Sequence, residues 1–376
     1  MVQSSHGIKP VALFLGRRSE HHIGTSLGNR ARHAVQTVNL SRSTMKLIIP
    51  MAGRGTRVRP HSHVTPKPLL NVRGKSMVER IVDMFNQMMP RPMTEGVFVL
   101  APDFGDDIKG QLTEICDRHG MEAHFAVQET PLGTAHAVRA AKEHLSGEGV
   151  IVYADTLFYM DPLSDFGDAD CVAWVKHVED PSRFGVAVRD GERIVEFVEK
   201  PAELISHEAL IGIYYVKDLT RIATSIEYLF DNDLAGPGGE YFLTDAFDRM
   251  LKEGDLFTTA GVTDWLDCGT IPALMDTTQV VLERENSLDG GGTATNSVII
   301  PPVYLGPGAQ VVDSVVGPNV SLEAGARITN ATVRSSIVFA NAVVENSALS
   351  DSLVGQHASV TGFGGSLNIG DHSTIG

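Results

Sequence analysis

Cysteine is scarce in this chain: Cys116, Cys171 and Cys268 are far apart, odd in number and form no CxxC pair. That argues against a disulfide framework or a zinc site and leaves reduced, packed thiols. Long apolar runs are missing too. No stretch approaches the ~18 uninterrupted apolar residues of a membrane span, and the early run at Val11–Gly16 precedes its Arg pair, the reverse of a secretory signal. A cytoplasmic protein with no membrane partner is expected. Basic charge is also in deficit: 31 Lys and Arg stand against 46 Asp and Glu, a formal net charge of −15. A nucleic-acid surface needs a basic footprint, so nucleic acid is not expected as a partner.

What is present is enough apolar sequence, 43% of 376 residues, to bury a large core, and enough length for two domains. Residues 1–44 hold six basic side chains against the single acid Glu20 and show no periodicity. They read as a disordered extension or a misassigned start, with Met45 as the true one. Over 45–285, the short apolar runs Lys46–Pro50, Gly96–Leu100 and Val150–Tyr153 alternate with helical patterns near 106–119 and 134–145. That alternation predicts βαβ units in an α/β, Rossmann-like domain with a mainly parallel sheet, whose ligands sit at the carboxyl ends of the strands.

From 286 to 376 the period changes. Apolar anchors recur every five or six residues at Leu305, Val311, Val316, Leu322, Ile328, Val333, Val338, Val344, Leu349, Val354 and Val360, with Gly, Pro, Asn and Ala between them. A helix cannot keep that period, whereas a parallel β-helix places one inward aliphatic residue on each short face. The pattern resembles the left-handed hexapeptide-repeat β-helix, at roughly 18 residues per coil and on the order of four coils. Its open end after Ile375-Gly376 predicts a homo-oligomer.

The first strand runs into Met51-Ala-Gly-Arg-Gly-Thr-Arg-Val-Arg-Pro60 and then Val64-Thr-Pro-Lys-Pro68. A P-loop would close on Gly-Lys-Ser/Thr, and a dinucleotide fingerprint would need a third Gly where Val58 stands. What remains is a glycine loop studded with cations. Gly53 and Gly55 let backbone N–H groups approach phosphate oxygens, and Arg57 and Lys67 supply the charge a triphosphate demands.

Ala52-Gly-Arg-Gly-Thr-Arg-x-x-Pro followed by Pro66-Lys-Pro resembles the signature of the sugar-phosphate nucleotidyltransferases, the family that includes glucose-1-phosphate thymidylyltransferases. Further segments fit in order over 45–376: Gln128–Ala135, Ala154-Asp155, Phe184-Gly185, Val198-Glu-Lys-Pro201, Ile211–Tyr214, Gly239–Asp245 and Trp265–Thr270. Ala52 and Ala154 stand where the family often has Gly. The resemblance implies an Mg²⁺-dependent enzyme that joins an NTP, dTTP or UTP preferred, to a sugar 1-phosphate. It assigns the triphosphate to Ala52, Gly53, Gly55 and Thr56, phosphate neutralisation to Arg57 and Lys67, and the base to Gln128, Gly133 and Thr134. Lys200 would clamp the sugar phosphate, Glu199, Gly185 and Gly212 would hold sugar hydroxyls, and Asp155 with Asp267 would coordinate Mg²⁺.

Other residues read more plainly. Glu240 and Asp245 read as helix N-terminal acids, Cys268 as a packed thiol, and the pair His61 and His63 as part of a mobile loop without a third metal ligand. Two rival readings stand beside the enzyme. One is a non-catalytic regulatory or exchange-factor-like subunit, although Arg57, Lys67, Asp155 and Asp267 are all retained. The other adds acyltransferase activity in the β-helix through His357 or His372, which read more simply as coil-corner residues.

Overall fold

The computed structural model describes residues 44–285 and 290–376. The expected extension at 1–44, Thr44 apart, lies outside these residues, as does the segment 286–289 that follows the expected domain boundary. In chain order the first part holds strands β1 (Met45–Pro50), β2 (Met93–Leu100), β3 (Glu122–Val127), β4 (Glu148–Val152), β5 (Thr156–Tyr159) and β6 (Cys171–His177). Then come β7 (Gly185–Asp190), β8 (Arg193–Glu199), β9 (Glu208–Val216), β10 (Phe257–Gly261) and β11 (Asp264–Asp267). The helices are α1 (Met77–Met88), α2 (Asp106–Arg118), α3 (Thr134–Ala140), α4 (Leu219–Asp231), α5 (Leu243–Lys252) and α6 (Ile271–Arg284).

Nine strands form one sheet in the order β3-β2-β1-β4-β9-β6-β10-β8-β7. The expected parallel arrangement holds for β3-β2-β1-β4, whose connections pass through helices. The other half is mixed: β9 runs antiparallel to β4 and β6, and β8 antiparallel to β10 and β7. Gly191 and Glu192 alone join β7 to β8, too few residues for a crossover.

Strand periodicity splits the core. Leu47 and Ile49 face one layer with α1, α2 and α6, and Ile48 faces the other with α3, α4 and α5. The helix α1 shows why such segments form. Ser76 accepts a hydrogen bond from the Glu79 N–H at 3.2 Å, capping the first turn. Met77, Val78, Ile81, Val82 and Phe85 then fall on one buried stripe. Each such large side chain contributes about 1.5–3 kcal/mol on burial.

The second part is a parallel β-helix. Every anchor from Leu305 to Val360 is buried in its own interior cluster. The strands starting at Thr293, Gln310, Arg327, Val343, Ser359 and Thr374 stack in parallel, so successive coils step by 17, 17, 16, 16 and 15 residues. The coils are shorter than the expected 18, and their steps fall from 17 to 15 because one corner loses residues: 317–319 stand opposite 334–335, and 350–352 opposite 366–367. Corners take left-handed backbone, hence Asn296, Asp313, Asn330 and Asn346 at one and Gly308, Gly325, Asn341, His357 and His372 at another.

The two parts pack directly. Ile337, Phe339 and Leu353 of the β-helix join the α6-side core. Glu323, 1% exposed, accepts hydrogen bonds from Asn71 Nδ2 at 3.0 Å, the Gly74 N–H at 3.2 Å and Ser321 Oγ at 2.8 Å. Among the described residues no helix is long and apolar enough to cross a membrane.

Candidate active site

A cleft of about 470 Å³ opens at the carboxyl ends of the parallel strands, where ligands of such sheets sit. Its first wall is the segment that leaves β1. Gly53 is exposed, and a Cβ built on it would meet nothing within 4 Å, so the loop stays open to close approach. Gly55 is fixed by its surroundings: its φ is 58°, and a Cβ there would lie 2.8 Å from the Lys67 Cβ. Lys67, 8% exposed, thereby reaches the cleft with its stem packed, and its Nζ donates to Asp155 Oδ2 at 2.8 Å. Ala52, Thr56 and Arg57 complete this wall.

The opposite wall begins with Gln128, held at the end of β3 by its N–H bond to the Leu100 carbonyl at 2.9 Å. Its Nε2 donates to the Gly133 carbonyl at 3.4 Å and to His136 Nδ1 at 3.1 Å, which leaves Oε1 as the atom with which to meet a ligand. Burial lowers the His136 pKa, which favours the neutral ring that accepts this bond. Gly133 (φ 103°, ψ 179°) sits where only glycine is comfortable, its backbone passing close to Tyr241. Thr134 opens α3 and lines the cleft beside Tyr153.

The remaining wall comes from β8. Glu199 Oε2 accepts from Thr244 Oγ1 at 3.1 Å, which turns the carboxylate toward the cleft. Lys200 has a left-handed φ of 43°, and its Nζ lies 5.2 Å from the Phe242 ring centroid. Strain of this kind costs on the order of 1–3 kcal/mol and collects at functional sites. Gly185 and Gly212 stand one layer back. A Cβ at Gly185 would press on Glu199 Oε2 at 2.9 Å, and one at Gly212 on the Tyr153 ring at 2.5 Å. Each leaves space for a cleft-lining side chain rather than lining the cleft itself.

Asp155 and Asp267 are brought together by a hairpin-like pairing. Asp267 on β11 stands opposite Thr156 on β5, and the Cys268 N–H donates to the Asp155 carbonyl at 3.1 Å. Asp267 Oδ1 accepts from the Gly269 N–H at 2.7 Å. A Cβ at Gly269 would lie 2.8 Å from Asp267 Oδ1 and 3.3 Å from an Arg57 guanidinium nitrogen, so these two side chains flank the same stretch of cleft wall. Cys268 faces the core, its thiol pKa pushed up to about 12 by burial. Asp245 lies in the first turn of α5, where an acid suits the helix dipole. Glu240, also expected to serve a helix, lines the cleft instead.

Sequence reasoning missed Tyr153, His136 and Phe242. Tyr153 reads as one more strand residue; the signal that could have found it is Gly212, a glycine interrupting β9 where the Tyr153 ring must fit. His61 also departs from expectation. It is 1% exposed, its Nε2 lies 2.6 Å from Asn368 Oδ1, and its ring lies 5.4 Å from that of Phe339. The loop is packed against the β-helix there, because burying an aromatic ring and pairing one ring nitrogen fixes it. His63 stays exposed.

The fold and cleft define a class. The chain belongs to the nucleotidyl transferase family, which matches residues 46–284. It is a sugar-phosphate nucleotidyltransferase, and hence an enzyme. It is 30% identical over 264 residues to the low-salt glycan biosynthesis nucleotidyltransferase Agl11 of Haloferax volcanii, covering 68% of this chain and 71% of that one. With the glucose-1-phosphate thymidylyltransferase of Streptomyces griseus it shares 27% identity over 364 residues, 88% and 98% of the two chains. With the bifunctional protein GlmU of Methanococcus aeolicus it shares 28% over 270 residues, which is 71% of this chain but 62% of that relative. A UDP-glucose pyrophosphorylase structure from Acinetobacter baumanii superposes with a TM-score of 0.52 over 65% of this chain and 95% of that one, at 20% identity, a likeness of fold alone.

Proposed function

We propose that the enzyme transfers a nucleotidyl group from dTTP or UTP to a sugar 1-phosphate, glucose 1-phosphate first, and releases pyrophosphate. The observation that carries this reading is the cleft itself, which gathers an open glycine loop, the buried Lys67 paired with Asp155, and a lining Gln128 whose Nε2 is held by Gly133 and His136. A phosphate oxygen of the sugar phosphate attacks the α-phosphorus while the bond from that phosphorus to the bridging oxygen breaks, and pyrophosphate leaves with the electron pair. Two like charges ~4 Å apart repel by ~1 kcal/mol in water and several-fold more in a drier site. Lys67 and Arg57 offset that repulsion, and the loop Ala52–Thr56 holds the triphosphate through its backbone. Catalysis then rests on positioning and charge, without a covalent intermediate.

Gln128 Oε1 matches the imide N–H of thymine or uracil, and Gly133 and Thr134 bring backbone to the base edge. Lys200 clamps the sugar phosphate. Glu199 accepts from sugar hydroxyls, with Gly185 and Gly212 making room for it and for Tyr153. The choice of dTTP and glucose 1-phosphate follows the thymidylyltransferase likeness, which covers 88% of this chain and so reaches into the β-helix.

Asp155, which lines the cleft, and Asp267, exposed beside the cleft-lining Gly269, offer hard carboxylate oxygens that fit Mg²⁺, which typically binds through one or two carboxylates plus substrate phosphates. Bound there, the ion would neutralise charge on the departing pyrophosphate.

A homo-oligomer belongs to the same proposal. The first coil leaves Thr293–Thr295 exposed, with Val298 57% and Ile300 42% exposed, an edge that a second subunit would cover. A monomer mass in light scattering would refute that part. The substrate reading is tested by a matrix of five NTPs against glucose, N-acetylglucosamine, galactose and mannose 1-phosphates, with pyrophosphate as readout. Highest kcat/KM for dTTP or UTP with glucose 1-phosphate is expected; a preference for a purine nucleotide would overturn the role of Gln128.

A further inference from the structure

At the amino ends of the parallel strands, opposite the cleft, Lys46, Glu95 and Glu122 stand in register across β1, β2 and β3. His124 lies two residues beyond Glu122 and therefore on the same face of the sheet. The turn Lys142–His144 that follows α3 sets His144 against this edge. Among the described residues, the trio Glu95, His124 and His144 brings one ligand atom from each side chain within 4.8 Å of the others. His124 Nε2 is 3.3 Å from Glu95 Oε2, with Glu122 Oε2 at 3.9 Å, and the two imidazoles face each other at 4.5 Å with 29° between their planes. All three side chains of the trio are half-buried.

We propose that Glu95, His124 and His144 form a transition-metal site of the Zn²⁺ class, with Glu122 able to swing in as a fourth ligand. Bonds of about 2.0–2.2 Å to nitrogen and oxygen in tetrahedral array set ligand atoms ~3.4 Å apart, and the His124–Glu95 edge already has that length. Two imidazoles with carboxylates select Zn²⁺ and its first-row neighbours over Mg²⁺, so this site and the cleft would take different ions. The position gives the ion a structural role. It would pin the end of the α3 segment, whose first residue Thr134 lines the cleft, to the outer strand of the sheet.

Lys46 is the competitor. Its Nζ lies 3.2 Å from the same Glu95 Oε2 and donates to the His144 carbonyl at 3.2 Å. A metal ion must displace this amine from the carboxylate. Removing the amine should therefore tighten metal binding, whereas a purely structural ion pair gives no such result.

The test is calorimetric titration of the EDTA-treated full chain with Zn²⁺ at pH 7.5, with millimolar Mg²⁺ present throughout, and Co²⁺ absorption as a second readout of tetrahedral ligation. One Zn²⁺ per chain is expected. His124→Ala and His144→Ala should each weaken it at least tenfold, and Lys46→Met should strengthen it, with folding of each variant checked by circular dichroism. Three results would overturn the proposal: no stoichiometric uptake by the wild type, equal uptake by both histidine variants, or weaker uptake by Lys46→Met.

Discussion

Replacing Lys67 by Met separates the chemistry of the cleft from its architecture. The stem of Lys67 is packed, with the residue 8% exposed, and a methionine of similar length keeps most of that packing. What disappears is the charge 2.8 Å from Asp155 Oδ2. The side chain of Asp155 is 39% exposed and can be solvated by water instead, so the stability cost is that of a surface pair, about 1 kcal/mol or less. In a chain of this size that lowers Tm by about 2 °C. The expected effect on turnover is much larger, because a preorganised charge aimed at the transferring phosphoryl group, the role proposed for Lys67, is typically worth ~10²–10³ in kcat. Pyrophosphate release and calorimetric melting on the same preparation give both numbers. A kcat within about threefold of wild type would refute the role of Lys67, and a Tm drop near 10 °C would show the ion pair to be structural.

Other substitutions test the supporting structure. The Glu323 carboxyl has its pKa raised by burial, so its stability is fully present below about 4.5 and is lost as pH rises through the raised value. Glu323→Gln should match or exceed the wild-type Tm at pH 7.5, with the difference shrinking toward pH 4 by calorimetry; Glu323→Ala should fall below wild type. Burial lowers the His61 pKa despite its bond to Asn368, so the stability it contributes is present above about 6.5 and lost as pH falls. Between pH 7.5 and 5.5 the wild type should lose Tm and gain in KM for nucleotide, and His61→Gln should flatten both trends. In Gly133→Ala the new Cβ would meet the Tyr241 carbonyl oxygen at 2.5 Å and its nitrogen at 2.7 Å. That is backbone that cannot yield cheaply, so a loss of about 1–3 kcal/mol and a rise in nucleotide KM of at least tenfold are expected.

The legible parts of this protein were those whose cause is local. The β-helix anchors announced themselves because each coil repeats the same inward position, and all of them proved buried. The loop from Gly53 to Lys67 was legible because backbone approach and cationic charge require particular residue types within a few positions of one another. The reversal of the sheet beyond β4 was not, since it is set by β9 pairing antiparallel with β4 across more than 60 residues. Asp155 and Asp267 could each be placed at a strand end, but the β5–β11 pairing that sets them side by side is a tertiary event.

The contact hardest to read from sequence explains what the β-helix does for the cleft. His61 and Asn368 are separated by 307 residues, yet they meet at 2.6 Å, and Gln356 Nε2 donates to Thr65 Oγ1 at 3.0 Å nearby. Pro60 closes against the last corner, where a Cβ on Gly370 would sit 3.0 Å from its ring. These contacts hold the segment between Arg57 and Lys67, a stretch with little regular structure of its own. In the proposed function, a loop so tethered loses less conformational entropy when a triphosphate settles on it, and that saving appears as affinity. On that reading the final coils act on the proposed nucleotide site through the loop they hold. Cutting them away should raise the nucleotide KM more than it lowers kcat, whereas loss of Lys67 should do the reverse.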